Sequence, residues 1–208
     1  MDILSSFSIP KSLFDSLLQL SSLSNILSDL ITSSAQTPIS GQIELLESIY
    51  AIRYSLLKSL NFSQDFKNYS VSAASKETSA TELVDETLRV GALLYMQTTM
   101  QEFPVSALGS RRLVQRLKET ITKFHVNDSG QENFLVWLLF VGGVEAKDDD
   151  RTWFVKRLRE VLNRLGCGLW KETREILERL WWVRQIHEKR FIKLWEEVEE
   201  STTTNATQ

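Results

Sequence analysis

Cysteine, histidine, proline and glycine are all scarce in this chain of 208 residues, and each shortage narrows what the protein can be. The one cysteine, Cys167, excludes a disulfide framework or a multi-cysteine zinc site within the chain, and it suits a reducing compartment. The two histidines, His125 and His187, lie more than sixty positions apart with no cysteine or acidic partner at ligand spacing, which makes a weak metal site. Three prolines and eight glycines bound no alternating stretch of the hairpin type. No continuous apolar run is long: residues 134–144 amount to about half of the ~20 residues that a membrane span needs. Residues 1–10 lack the basic start and apolar run of an export signal. The triplets at Asn61, Asn68, Asn127 and Asn205 are therefore read as chance rather than glycosylation sites, and the chain is expected to be soluble and intracellular. Charge of one sign is also lacking. The net charge is −3, with six basic against eleven acidic residues in 1–110 and eighteen against sixteen in 111–208, and neither half reads as a nucleic-acid groove.

What the chain does have is helical periodicity and tryptophan. Hydrophobic residues make up 42%, enough for a real core in one large domain or two small ones. All six tryptophans, Trp137, Trp153, Trp170, Trp181, Trp182 and Trp195, fall within 134–195. An aromatic side chain buries roughly 150–250 Å², so this segment is expected to carry the core. Apolar residues at three and four residue steps predict helices over 11–31, 42–60, 81–103, 111–124 with Ser110 as N-cap, 133–144, 151–165, 171–181 and 186–198. The helix at 133–144 is apolar on nearly all sides and belongs in the centre of a bundle, where Gly142 and Gly143 admit a close neighbour. The fold class is all-α, a multi-helix bundle of about seven to eight helices. Its expected divisions are a serine-rich amphipathic helix and loop at 1–40, a helical domain at 41–200 and a disordered tail at 201–208. Within the tryptophan set, Trp182 and Trp195 are expected as core anchors and Trp181 as more exposed.

Candidate chemistry is thin. Asp148, Asp149 and Asp150 resemble the magnesium-binding cluster of helical terpenoid synthases, but no second cluster accompanies them, and acids just before a helix ordinarily cap its free N–H groups. A Cys167–His187 nucleophilic pair lacks an orienting third group, and free cysteine ordinarily packs as a small apolar residue. Arg111, Arg112, Arg116, Arg157, Arg159 and Arg164 are interleaved with acids and apolar faces and read as a solvated surface. The Trp181-Trp182 pair is a core feature rather than a stacking platform. The sequence therefore predicts no catalytic residue, no cofactor and no bound metal.

Residues 134–195 resemble the carboxy-terminal half of the fungal-specific transcription factor domain, the helical regulatory region of fungal zinc binuclear cluster regulators. The matching landmarks are Trp137 with Gly142 and Gly143, Arg151 with Trp153, Trp170 with Arg174 and Leu177, and Trp182 with Ile186, His187 and Trp195. Upstream, 88–95 and the pair Leu113 and Leu117 look like the preceding helices, so the likeness covers about 40–198. The resemblance implies a nuclear, non-catalytic regulatory domain acting through protein partners, either the transcription machinery or a related regulator. The six-cysteine zinc cluster is not in this chain, so no sequence-specific DNA binding of its own is expected, and no ligand-binding residue is carried over. A helical scaffold or adaptor is the alternative, with a magnesium-dependent terpenoid-type enzyme behind it.

Overall fold

The computed structural model describes residues 7–33, 39–58, 80–99, 107–124 and 129–205. Among these residues there are eight helices and no strand: α1 (Lys11–Ser33), α2 (Ile39–Lys58), α3 (Ala80–Thr99), α4 (Ala107–Lys123), α5 (Ser129–Glu145), α6 (Asp148–Leu165), α7 (Trp170–Glu178) and α8 (Arg184–Asn205). The protein is an all-α multi-helix bundle.

The bundle is built around α5, because its sequence has no polar face to give to water. Phe134, Leu135, Val136, Trp137, Leu138, Leu139, Phe140 and Val141 are all buried, and α3, α4, α6, α7 and α8 pack around them. Gly142 and Gly143 let α6 and α8 approach. A Cβ at Gly142 would stand 2.5 Å from Phe154 Cε1 and 2.8 Å from Leu117 Cδ2, and one at Gly143 would stand 2.7 Å from Leu194 Cδ2. Where α6 ends, Gly166 takes a left-handed φ of 70°, and the N–H groups of Gly166 and Cys167 close back on Asn163 and Leu162.

Serine, a mediocre helix former, makes up much of α1. The helix accommodates it by turning hydroxyls onto its own carbonyls, as Ser16 does to Ser12, Ser22 to Leu18 and Ser24 to Leu20. Two of these serines also join helices: Ser16 Oγ lies 2.7 Å from Ser55 Oγ of α2, and Ser24 Oγ accepts from the Tyr95 hydroxyl of α3 at 2.9 Å. Leu13, Leu17, Leu20 and Leu23 belong to the same core cluster as α5.

Several boundaries differ from the expectations. The helix α4 begins at Ala107, so Gly109 and Ser110 lie inside it and Ser110 is no N-cap; its hydroxyl accepts from Gln97 Nε2 of α3 instead. The helix α2 takes in Gly41 and residues before it. Only α7's nine residues are helical, which leaves Trp181 and Trp182 in the link to α8. The helix α8 continues to Asn205, because Arg159 of α6 donates to the Ser201 carbonyl and holds that turn; residues 201–205 of the expected tail are thus helical. His125, Asn127, Pro104 and residues 206–208 lie outside the described residues.

Candidate functional site

The side chains with specific polar geometry gather where the first turn of α8 meets the last turn of α3. His187 is buried on α8, and its Nδ1 accepts from the Val183 N–H at 3.0 Å, which fixes the proton of the neutral ring on Nε2. That Nε2–H faces Thr99 Oγ1 at 3.0 Å, and Thr99 in turn donates to the Tyr95 carbonyl at 2.7 Å. Each of the three hydrogens in this relay has one acceptor. Burial and the nearby Arg190 charge lower the His187 pKa to about 4, and burial pushes the Tyr95 phenol up to about 12.

Aromatic rings enclose this relay. Trp137 and Trp181 meet edge to face with centroids 4.8 Å apart, and Trp137 Nε1 donates to the Trp181 carbonyl at 3.3 Å. Phe134 meets Trp181 edge to face as well, and Tyr95 lies against Trp137, Trp181 and His187. Phe191 stacks on Phe140 and touches Trp182 and His187, while Trp170 bridges Trp182 to Trp195. The expected order of the tryptophan pair is reversed. Trp181 is 5% exposed and Trp182 is half-buried, because α7 stops at Glu178 and the link turns Trp181, not Trp182, under Trp137. Trp195 is buried as expected.

A second junction closes the other end of α5. Arg151 forms a two-pronged pair with Glu197 of α8, both contacts at 2.8 Å, and donates from Nη1 to the Gly143 carbonyl at the C-terminal end of α5. The guanidinium holds the Glu197 carboxyl below its usual range. Arg190 reaches Glu145 at 2.6 Å, Arg164 reaches Glu132, and Arg174 of α7 lies 3.6 Å from Glu188 of α8. Leu177 is buried beneath α7, Ile186 is half-buried beside His187, and Trp153 sits at the surface of α6 under the Lys118 ammonium. Of the resemblance landmarks, Trp137, Trp170, Trp182, Ile186, His187 and Trp195 lie at the first junction and Gly142, Gly143 and Arg151 at the second, while Trp153 on α6 and Arg174 and Leu177 on α7 lie at neither.

The candidate chemistry resolves differently. Asp148, Asp149 and Asp150 form the first turn of α6 rather than preceding it; the N-cap is Lys147, with no side-chain cap bond, and Asp150 pairs with Lys118 at 2.8 Å. Their remaining role is to meet the positive end of the helix dipole. Among the described residues no group of three or more His, Cys, Asp or Glu is placed to hold a metal ion. His187 has both ring nitrogens engaged and is not a base for Cys167, whose thiol burial and Glu172 push up. Of the basic positions read as solvated, Arg116 pairs with Glu86 and Glu119, Arg157 with Glu160, and Arg164 with Glu132. The spacing in the sequence did not reveal Arg89, which is buried and bonded twice to Asp85 and once to the Ser55 carbonyl. Its only sequence signal was the acid four positions before it.

Fold and junctions define an all-α bundle held together by one continuous aromatic core. The chain belongs to the fungal specific transcription factor domain family, whose family model matches residues 2–204. No curated protein and no solved structure matches the chain. No helix among the described residues is long and apolar enough to cross a membrane.

Proposed function

We propose that this chain is a non-catalytic regulatory domain of a fungal transcription factor-like protein, working in the nucleus through contacts with the transcription machinery or a related regulator and reading no DNA sequence itself. The family match over 2–204 carries this reading. The packing supports it: His187 is buried with both ring nitrogens bonded, and Asp150 of the acid triplet is held by Lys118. The landmark residues act here as packing and junction positions that hold α8 against α5.

A chain tethered to a heterologous DNA-binding module upstream of a reporter tests the proposal. The expected result is a change in reporter output that is lost when Trp181→Ala disrupts the bundle. Unchanged output, together with a defined footprint of the isolated chain on one DNA sequence at physiological salt, would sink it; unspecific, salt-sensitive DNA binding would not.

One observation favours a ligand-responsive form of this function. A groove of about 750 Å³, open along one side, runs between α1 and α2 and is lined by Leu18, Leu23, Ile26, Leu30, Leu45 and Ile52. That volume lies in the range of small-molecule sites, roughly 300–1,000 Å³. Apolar small molecules should raise the melting temperature of the wild-type chain and leave a Ser48→Trp variant, with the groove filled from its exposed side, unmoved.

A further inference from the structure

The helix α2 lies at the edge of the bundle, packed on α1 and α3, and its inner face carries Ile49, Ile52 and Leu56, all buried. The opposite face should then be polar. It is not. Ile43, Tyr50, Tyr54 and Leu57 are exposed by 52%, 52%, 69% and 39%, and with Glu47 they occupy positions 43, 47, 50, 54 and 57. These steps of four, three, four and three are the spacing of a seam between two helices. A single exposed apolar residue is ordinary, but a seam four residues long on one face marks a contact surface.

The charges beside the seam indicate what covers it. On one flank, Glu44 stands near the amino-terminal end and Lys58 at the carboxy-terminal end, both exposed. If a second α2 runs antiparallel across a two-fold axis near Tyr50 and Ala51, the same flank of each helix faces its counterpart. Glu44 then meets Lys58 of the other copy, Ile43 meets Leu57, and the Tyr54 phenol comes opposite the Glu47 carboxylate and can donate to it. A parallel arrangement would turn the flank of Glu44 and Lys58 toward the opposite flank of the other helix, so the two would not meet. Such self-complementarity is the requirement of a two-fold interface. We propose that α2 is the dimerisation surface of this domain and that its occupant is the α2 of a second copy, antiparallel. This assembly goes beyond the regulatory function and holds whether or not that function is correct.

One helix pair is a small interface, below about 1,200 Å² of total buried surface, so the dimer should be weak and reversible. Sedimentation equilibrium of the purified chain between about 1 and 100 μM tests it. Wild type should move from monomer to dimer, and Tyr54→Glu, which places a carboxylate against Glu47, should weaken association at least tenfold while the melting temperature stays put. Glu44→Lys and Lys58→Glu should each weaken association several-fold, and the double variant should recover most of it. Recovery is a readout that a merely structural role for either residue would not give. A monomer at 100 μM overturns the proposal, and if Tyr54→Glu then also lowers the urea midpoint, the seam belongs to the chain's own residues 59–79. A dimer unchanged by Tyr54→Glu, or unrestored by the charge exchange, overturns it too.

Discussion

His187 Nε2 and Thr99 Oγ1 stand 3.0 Å apart, and through that contact the first turn of α8 is bonded to the last turn of α3 across the top of the aromatic core. The Nε2–H donor is kept in the charged ring, but the bond that Nδ1 accepts from the Val183 N–H exists only for the neutral imidazole.

Stability should accordingly depend on pH. The His187 pKa is lowered from 6.5 to about 4, so between these values the unfolded chain binds a proton that the folded chain does not. The contribution is fully present above about pH 6.5 and is lost as pH falls toward 4. Between pH 7 and pH 5 the unfolding free energy should drop by about 2 kcal/mol on this account. Urea titrations should show that step in wild type and not in His187→Gln. An equal drop in both would place the pH dependence elsewhere.

The tryptophan pair should respond unequally. Trp181→Ala empties a buried site between Trp137, Phe134 and Tyr95 and should cost about 3–5 kcal/mol. Trp182 is half-buried, and its Nε1 is buried with no partner among the described residues. Trp182→Phe removes that unpaired donor and should be neutral or slightly stabilising. Denaturant midpoints decide, and a Trp182→Phe loss as large as that of Trp181→Ala would contradict the assignment.

Gly142 and Gly143 should also differ. Alanine at 142 drives a methyl into the Phe154 ring and Leu117, and should cost about 1–3 kcal/mol. Alanine at 143 meets one close atom, the far end of the flexible Leu194 side chain, rather than an aromatic ring, so its cost should be smaller. Thermal melts of the two single variants measure the difference.

Arg151→Met should loosen the carboxy-terminal half of α8, because the residue ties Glu197 to the Gly143 carbonyl. Amide exchange across 192–201 should speed up while that of α3 is unchanged. Lysine at 151 should fail to restore protection, because one ammonium cannot make the two-pronged pair. Full protection in Arg151→Lys would reduce the site to simple charge.

The helical fold was legible because three and four residue spacing survives in every segment, and α5 announced its central place by having no polar face. The landmarks Trp137, Arg151 and His187 were legible as a pattern, yet their roles were not. Whether His187 bonds to Thr99 depends on α3 and α8 meeting, 88 residues apart in the chain, and no local pattern encodes that. The exchange of Trp181 and Trp182 was missed because it turns on α7 ending at Glu178, which nothing in the periodicity of 171–181 marks. The serines of α1 read as weakness, while in the fold Ser16 and Ser24 are joints to α2 and α3.

The enclosure of α5 also bears on how the chain is made. Three of the five helices around it, α6, α7 and α8, follow it in the sequence, so a ribosome that has just released residue 145 presents a nascent helix apolar on every side with half its wrapping still untranslated. Its cover is completed only when Phe191, Leu194 and Trp195 emerge. Chains stalled or cut before α8 should therefore be captured by chaperones and degraded rather than persist as shorter domains.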